Sequence, residues 1–428
     1  MKRTYVNDIN RGLHNKNVLI KGWAHDLRDL AKIKFILLRD ATGIVQCVIK
    51  DKGLFKLFSE LSLESTVEIT GKAKKASIES EEVSNHSIEI ETGGIKLLNK
   101  AEALPVQVLE RGIKTGLSKR LDYRFLDLRR KEVKAIFNIQ SVAINAFREF
   151  FFKNNFMEIQ PPGIIATATE GGTGLFEIKY FEKNAYLAQS PQLYKQLAAI
   201  SLEKVFSTST IWRAEKHNTL QHLNEIRQLD IEVGFANEFT VMKYLEDVVR
   251  FIFSRVKETC KKELGILNID VKVPKAKYMA YKEAVKILNK NNMKMELGED
   301  FERDAEKKLC GLFPDTVLFI HDWPKSLKPF YIWPKKDGTT GGFDAVYGGI
   351  EISSGGQRVH VPAILIKQLK ERGLNPEKFK WYIDAFRYGA PEHAGWSIGL
   401  ERLTMTLCKL DNIREACLFP RDRDRITP

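Results

Sequence analysis

The chain is poor in the residues that build covalent or metal frameworks. Five cysteines (Cys47, Cys260, Cys310, Cys408 and Cys417) are spread over 428 residues, and no Cys-x-x-Cys occurs. That spacing argues against a zinc site and a disulfide scaffold, and for a reducing cytoplasm. No apolar run approaches the ~18 residues of a membrane span. The stretch "MKRTYVNDINRGLHNKN" lacks the apolar core of a secretion signal. There is no G-x-G-x-x-G and no Gly-Lys-Ser/Thr P-loop, which argues against a Rossmann or Walker nucleotide site. Internal repeats and low-complexity tracts are absent too.

Basic charge is in excess. Lysine and arginine number 68 against 55 acids, a formal net charge of +13. A surface of this kind is a footprint for a polyanion, with RNA or DNA the leading candidates, set against a merely lysine-rich proteome. A hydrophobic fraction of 43% is enough to bury a core. The length predicts two or three domains.

Residues 17 to 100 read as strands. "NVLIKGWAHDL", "IKFILLRDATG", "IVQCVIK", "STVEITGKAKKA" and "HSIEIETGGIKLL" mix alternating and β-branched runs with turn residues. "KGLFKLFSELS" has helical spacing and falls after the third. Strands in that order are the plan of an OB-fold, a small barrel that binds oligonucleotides. Residues 101 to 130 are charged and read as a hinge or linker. "KEVKAIFNIQSVAINAFREFFFKNNF" then keeps apolar residues at helical period for over six turns. Strands and helices alternate irregularly from there, which predicts an α+β catalytic-size domain over 131–428, built on an antiparallel sheet flanked by helices. Residues 267 to 320 read as a separate α/β insertion.

Five stretches carry chemistry. "QSPQLYKQL" starts a short helix, with Ser190 as N-cap and Pro191 at the first helical position. Gln192 and Lys195 then share a face, either solvated or aimed into a pocket. "IWRAEKHNTLQHLNE" presents Arg213 on a polar loop, and "GLERLTMTL" puts Arg402 in the first turn of a helix. Both suit phosphate, and a surface Arg–Glu pair explains each equally well. "FDAVYGGIEISSGGQR" holds Asp344, Glu351 and Arg358. Two hard carboxylates beside arginines are what Mg²⁺ with substrate phosphates needs, and an ordinary strand with exposed acids is the other reading. "ATATEGGTGLF" is a Gly-rich loop with one acid, Glu170, and reads as a mobile lid or a hairpin turn.

In order, "NFMEIQPPGII", "ATEGG", "QSPQLYKQ", "WRAEKHNTLQHLNEIRQLDIE", "FDAVYGGIEISSGGQR" and "GLERLTM" with "NIREACLFPRDRDRIT" resemble the class II aminoacyl-tRNA synthetases. Among these the chain is similar to the aspartyl branch in its archaeal form, over essentially its whole length. The resemblance implies aspartate activation by ATP, transfer to tRNA-Asp, and a homodimer with Pro162 at the interface. It places ATP against Arg213, Glu215, His222, Leu223, Glu351, Gly399 and Arg402, with Arg213 at the α-phosphate and Arg402 at the γ-phosphate as the catalytic cations. It places Mg²⁺ on Asp344 and Glu351, and the amino acid against Glu170, Gln192, Lys195, Asp230, Ser354 and Arg358. Lys195 and Arg358 would then face the substrate's side-chain carboxylate. A neutral amide there would leave Lys195 unpaired, which favours aspartate over asparagine.

The barrel, by the same resemblance, reads the anticodon with His25, Arg28, Phe35, Gln46 and Asn85. Phe35 would stack a base, and Gln46 would hydrogen-bond one. Relatives confined to tRNA-Asp tend to carry Trp at the His25 position and Lys near Asn85. Their absence implies a relaxed enzyme that also charges tRNA-Asn, followed by an amidotransferase. The chain departs from its relatives at Trp212, at Ile226 (often an aromatic that stacks adenine), at Ala31-Lys32, and in "PEHAGWSIG", where Ala394 adds a methyl group expected near ATP. Two rival readings stand: an RNA-binding module on a dead catalytic fold, and a paralogue that makes asparagine without tRNA. Retention of Arg213, Arg402, Asp344 and Glu351 argues against the first, and the barrel against the second.

Overall fold

Alternation along residues 17–99 turns one set of side chains inward and closes a barrel. The strands are β1 (Asn17–Leu30), β2 (Ile33–Arg39), β3 (Ile44–Ile49), β4 (Thr66–Lys75) and β5 (Ile88–Asn99), in the order β1-β2-β3-β5-β4. Ile20, Ala24, Ile36, Leu38, Cys47, Val67, Ile69 and Ile90 fill its interior. The helix after β3 is short, Phe55–Ser59. The structure is a computed structural model and describes residues 1–109, 114–166, 174–216 and 218–428.

The chain divides into two compact units, Met1–Arg130 and Lys131–Pro428. The stretch expected as a linker therefore belongs to the first unit. It carries the helices Leu117–Asp122 and Arg124–Asp127. Arg129 ties it to the barrel through a 2.9 Å bond to Glu64.

The second unit opens with the helix Lys131–Lys153. Its buried residues, among them Ile136, Ile139, Ala143, Ala146, Phe147 and Phe151, recur every three or four positions. They join one core with Val241, Leu245, Val249 and Ile252 of the helix Glu238–Thr259, behind the main sheet. The strands of this unit are β6 (Met157–Glu158), β7 (Ile164–Ile165), β8 (Glu177–Tyr180), β9 (Lys183–Leu187), β10 (Lys204–Trp212), β11 (Glu225–Gly234), β12 (Lys275–Ala280), β13 (Thr316–His321), β14 (Gly342–Tyr347), β15 (Ile350–Gln357) and β16 (His393–Gly399). Eight of them form one sheet in the order β12-β13-β14-β15-β16-β11-β10-β6. Its centre is antiparallel, as expected, and its two outer pairs, β12·β13 and β10·β6, are parallel.

The stretch 267–320 is not separate. It has its own apolar cluster around Tyr281, Leu288, Leu309 and Trp323. Its strands β12 and β13 nevertheless extend the edge of the main sheet, with β13 paired to β14. A sheet edge left open is a row of unpaired backbone groups, and pairing satisfies it.

Candidate active site and barrel face

Register decides what the sheet presents. Ser207, Asp230, Ser397, Ser354 and Asp344 lie directly opposite one another across β10, β11, β16, β15 and β14. The next rung reads Glu232, Gly395, Gly356 and Gly342. A Cβ on Gly395 would lie 2.1 Å from Glu232 Oε2, so glycine makes room for that carboxylate. Beside these rungs opens a cleft lined by Gln192, Arg213, Glu215, His222, Leu223, Ile226, Gln228, Glu351, Ser354, Arg358, Ser397, Gly399 and Arg402, among others.

The helix bearing Lys195 begins at Gln192, one residue later than expected, and Pro191 is its cap position. Ser190 still performs the capping, because its Oγ accepts from the Gln192 N–H at 3.2 Å. The helix is no solvated face: Gln192, Leu193, Lys195 and Gln196 are all buried. Gln192 reaches the cleft, as expected. Lys195 does not line it. Its Nζ donates to Asp230 Oδ1 at 2.9 Å and to the Trp396 carbonyl at 3.1 Å, and lies 3.6 Å from Glu232 Oε2. A buried ammonium needs such partners, and they draw it behind the wall, together with Asp230.

Glu232 escaped the sequence reading and completes the group. Arg358 grips it with Nε–Oε1 at 2.9 Å and Nη2–Oε2 at 3.2 Å. Burial raises the Glu232 carboxyl, but Arg358 and Lys195 overcome it and hold the group below its ordinary value. Asp230 goes the other way, because burial outweighs Lys195 there. Two cations and two anions alternate with no net charge.

A second buried chain supports Gln192. Its Nε2 donates to Gln196 Oε1 at 3.0 Å, Tyr382 donates to the same oxygen at 2.9 Å, and Gln196 Nε2 meets His393 Nε2 at 2.8 Å. His393 Nδ1 lies 3.0 Å from the Pro391 carbonyl. This fits a neutral ring donating from Nδ1, and burial lowers its pKa to about 4. The expectation for Ala394 is corrected. It alternates away from the cleft and is fully buried in the core, so its methyl group is core packing.

The cleft's other end collects cations. The polar loop is pinned by Asn224, whose Nδ2 donates to the carbonyls of Arg213 and Glu215 at 2.7 and 3.0 Å. Arg213 Nε is buried with no partner among the described residues. His222 Nδ1 lies 2.6 Å from Thr219 Oγ1. Arg402 Nη1 donates to the Glu351 carbonyl at 3.0 Å. Glu401 beside it accepts from the Arg227 N–H, and burial pushes its carboxyl up to about 7.

Asp344 and Glu351 sit on neighbouring strands, but the cation Asp344 holds is Lys328 Nζ, at 2.5 Å. Asp344 does not itself line the cleft. Glu351 is raised by burial and then by the Asp344 charge. From the 267–320 stretch, the Glu306 carboxyl is pushed up to about 7 by burial and then by Glu351. No group of three or more metal-ligating side chains is gathered among the described residues. The donor set still fits Mg²⁺: Asp344 and Glu351 lie close enough for one charge to act on the other, next to arginines suited to phosphate. Glu170 lies outside the described residues.

In the barrel, Arg28 stands opposite Phe35, Phe35 opposite Val48, and Gln46 opposite Leu37, so Arg28, Phe35 and Gln46 share one face. Phe35 is half-buried and takes no part in the barrel core. Gln46 donates to Glu89 at 2.9 Å, and Arg28 to Asp26 at 2.9 Å. His25 is not on that face. A bulge between Ala24 and Asp26 turns it inward, where it is 6% exposed. Its Nδ1 lies 2.8 Å from Arg39 Nη1, and Arg39 grips Glu64 at 2.8 and 2.6 Å. Burial raises Glu64, but His25, Arg39 and Arg129 bring it down to about 2. Asn85 is likewise taken up internally, donating to the Ile9 carbonyl and accepting from Ser87.

A family model described as tRNA synthetases class II (D, K and N) matches residues 116–423, and one for the OB-fold nucleic acid binding domain matches residues 18–98. The chain belongs to this class II synthetase family. It is 43% identical to the aspartate–tRNA(Asp/Asn) ligase of Archaeoglobus fulgidus, over all of both chains. It is 42% identical to the aspartate–tRNA(Asp) ligase of Thermoplasma volcanium, again over all of both. Among solved structures it is similar to the asparaginyl-tRNA synthetase of Pyrococcus horikoshii bound to asparaginyl-adenylate (TM-score 0.94, 32% identity, all of both chains). It is also similar to an aspartyl-tRNA synthetase of Entamoeba histolytica (TM-score 0.90, 30% identity, all of this chain and 93% of the other). No helix among the described residues is long and apolar enough to cross a membrane.

Proposed function

We propose that this chain is an aspartate–tRNA ligase that loads both tRNA-Asp and tRNA-Asn. The observation that carries the amino-acid assignment is the buried Lys195–Arg358 pair of cations, held by Asp230 and Glu232 at one end of a cleft whose other end offers Arg213 and Arg402. An acidic side chain fits the first end and a triphosphate the second. The aspartate α-carboxylate attacks the α-phosphorus in line, the bond to the β-phosphate oxygen breaks, and pyrophosphate leaves. No protein nucleophile is needed. Arg213 meets the α-phosphate, Arg402 the γ-phosphate, and Gln192 orients the α-ammonium. Asp344 and Glu351 would hold Mg²⁺, which supplies charge for the phosphates when bound. The terminal ribose hydroxyl of tRNA then takes the aspartyl group and AMP leaves. Homodimerisation through the region of the exposed Pro162 belongs to this reading.

Relaxed tRNA choice is supported by the names of relatives such as that of Archaeoglobus fulgidus, while the Thermoplasma name favours tRNA-Asp alone. A histidine withdrawn into an ion network leaves the outer barrel face without a bulky ring at that position. The test is aspartylation of purified tRNA-Asp and tRNA-Asn side by side. Product on both is expected. Product on tRNA-Asp alone would sink the relaxed reading, and an amidating enzyme acting on aspartyl-tRNA-Asn must follow if it holds.

Phe35→Ala separates the barrel's role from the cleft's. One stacked base is worth about 1–3 kcal/mol, so the KM for tRNA should rise about tenfold or more. Pyrophosphate exchange without tRNA should not change. Equal tRNA KM values would place Phe35 among packing residues instead.

A further inference from the structure

The polar rung of the main sheet brings together two buried side-chain atoms that do not pair. Ser397 on β16 stands directly opposite both Asp230 on β11 and Ser354 on β15. Its hydroxyl oxygen is buried with no hydrogen-bond partner among the described residues, and the same is true of Asp230 Oδ2. The other oxygen of that carboxylate, Oδ1, accepts from Lys195. A donor and an acceptor, both buried and both idle, thus face each other across one strand pair. Leaving such groups unpaired is costly, so their neighbourhood calls for a state in which they meet.

That state follows from where Lys195 is. Ser397 lines the cleft, while Lys195 and Asp230 lie behind it. Lys195 donates hydrogen bonds to Asp230 Oδ1 and the Trp396 carbonyl and stands 3.6 Å from Glu232. To reach a carboxylate in the cleft, it must loosen one of these. Asp230 is only 1% exposed, so water cannot replace the lost donor.

We propose that Ser397 is a positioning residue for the amino-acid substrate: as the substrate's side-chain carboxylate draws Lys195 toward the cleft, the Ser397 hydroxyl rotates to donate to Asp230 Oδ2. The hydroxyl keeps its proton, and no bond is made or broken beyond hydrogen bonds. The carboxylate trades part of one donor for another, and the ammonium is released to the substrate at low cost. Burial raises the Asp230 carboxyl, and the Ser397 hydroxyl stands close enough to add to the lowering by Lys195, though its geometry is not that of a hydrogen bond. The ATP end of the cleft takes no part.

This inference rests on the aspartate-activating reading, and pyrophosphate exchange tests it with Ser397→Ala and Ser397→Gly. Both should raise the KM for aspartate about tenfold, the weight of one hydrogen bond to a charged group. The KM for ATP and kcat should stay within about twofold. A general loosening of the cleft would move the ATP and aspartate values together, and that result would overturn the proposal. So would an unchanged aspartate KM in folded variants, as judged by thermal unfolding. Absence of aspartate-dependent exchange in the wild-type chain would take down both this inference and the function it rests on. An active wild type with indifferent variants would remove Ser397 alone.

Discussion

Lys195→Met abolishes aspartate-dependent pyrophosphate exchange while ATP still binds: kcat/KM for aspartate is expected to fall about a thousandfold. The size follows from what the substitution removes. Truncating one partner of a buried, hydrogen-bonded charge pair costs about 2–5 kcal/mol or more, and the upper part of that range is a factor of a thousand. Lys195 sits at the top of the range because it is 2% exposed and works in a site where water cannot stand in for it. Met keeps the length and volume of the side chain, so the change removes charge rather than bulk. Stability should also suffer, in a pH-dependent way. Without the ammonium, Asp230 and Glu232 share one remaining cation, Arg358. Asp230, which burial already raises, relieves the strain by taking a proton. The variant's deficit should therefore be small at low pH and grow as pH rises. ATP affinity, set by groups at the far end of the cleft, should change little. Unchanged kcat/KM for aspartate would refute the role of Lys195, and loss of ATP binding alongside would point to a collapsed cleft.

Why Lys195 was legible and its partners were not comes down to range. A capped helix start is a local pattern, so Ser190, Pro191, Gln192 and Lys195 could be read as a unit, with a one-residue error at the boundary. The barrel was legible for the same reason: its strands alternate, and its turns carry Gly and Asp. Glu232 was invisible because it reads as one more acid in a strand. Only the register of β11 against β16, and the glycine at Gly395, give it a place beside Arg358. Lys328 was missed because its partner Asp344 lies 16 residues away on another element. His25 was placed by resemblance alone, and the one-residue bulge that turns it inward leaves no mark in the strand's pattern. Glu306 comes from a stretch that looked autonomous, yet its carboxyl feels the charge of Glu351. In each case the missing information was a contact across strands, which periodicity along one strand does not encode.

Glu401→Gln is expected to leave stability unchanged at pH 4 and to raise it by about 3 kcal/mol at pH 8. Glu401 is 2% exposed, and its carboxyl is pushed from 4.5 up to about 7 by burial, with the Arg227 N–H only partly opposing. The folded protein therefore binds a proton that the unfolded chain has released between those two values. A group raised in this way contributes stability that is full below the unfolded pKa and is lost as pH rises through the folded one. The distance from 4.5 to about 7, at ~1.36 kcal/mol for each tenfold change in acidity, gives the figure. Gln is close in shape to the protonated acid, so it matches the wild type at low pH and is spared the ionisation at high pH. His393 runs in the opposite sense. Burial lowers it from 6.5 to about 4, so the unfolded state takes up the proton first and the wild type loses stability as pH falls through that window. His393→Gln should therefore gain on acidification relative to the wild type, whatever fixed loss it suffers from unstacking Phe386. Urea unfolding of both variants from pH 4 to 8 reads the two slopes. Parallel curves for Glu401→Gln and the wild type would mean that Glu401 is ionised in the folded protein at neutral pH. Opposite slopes would mean that the folded protein keeps Glu401 protonated and His393 neutral, so that neither adds a charge to the fold in the window between its two values.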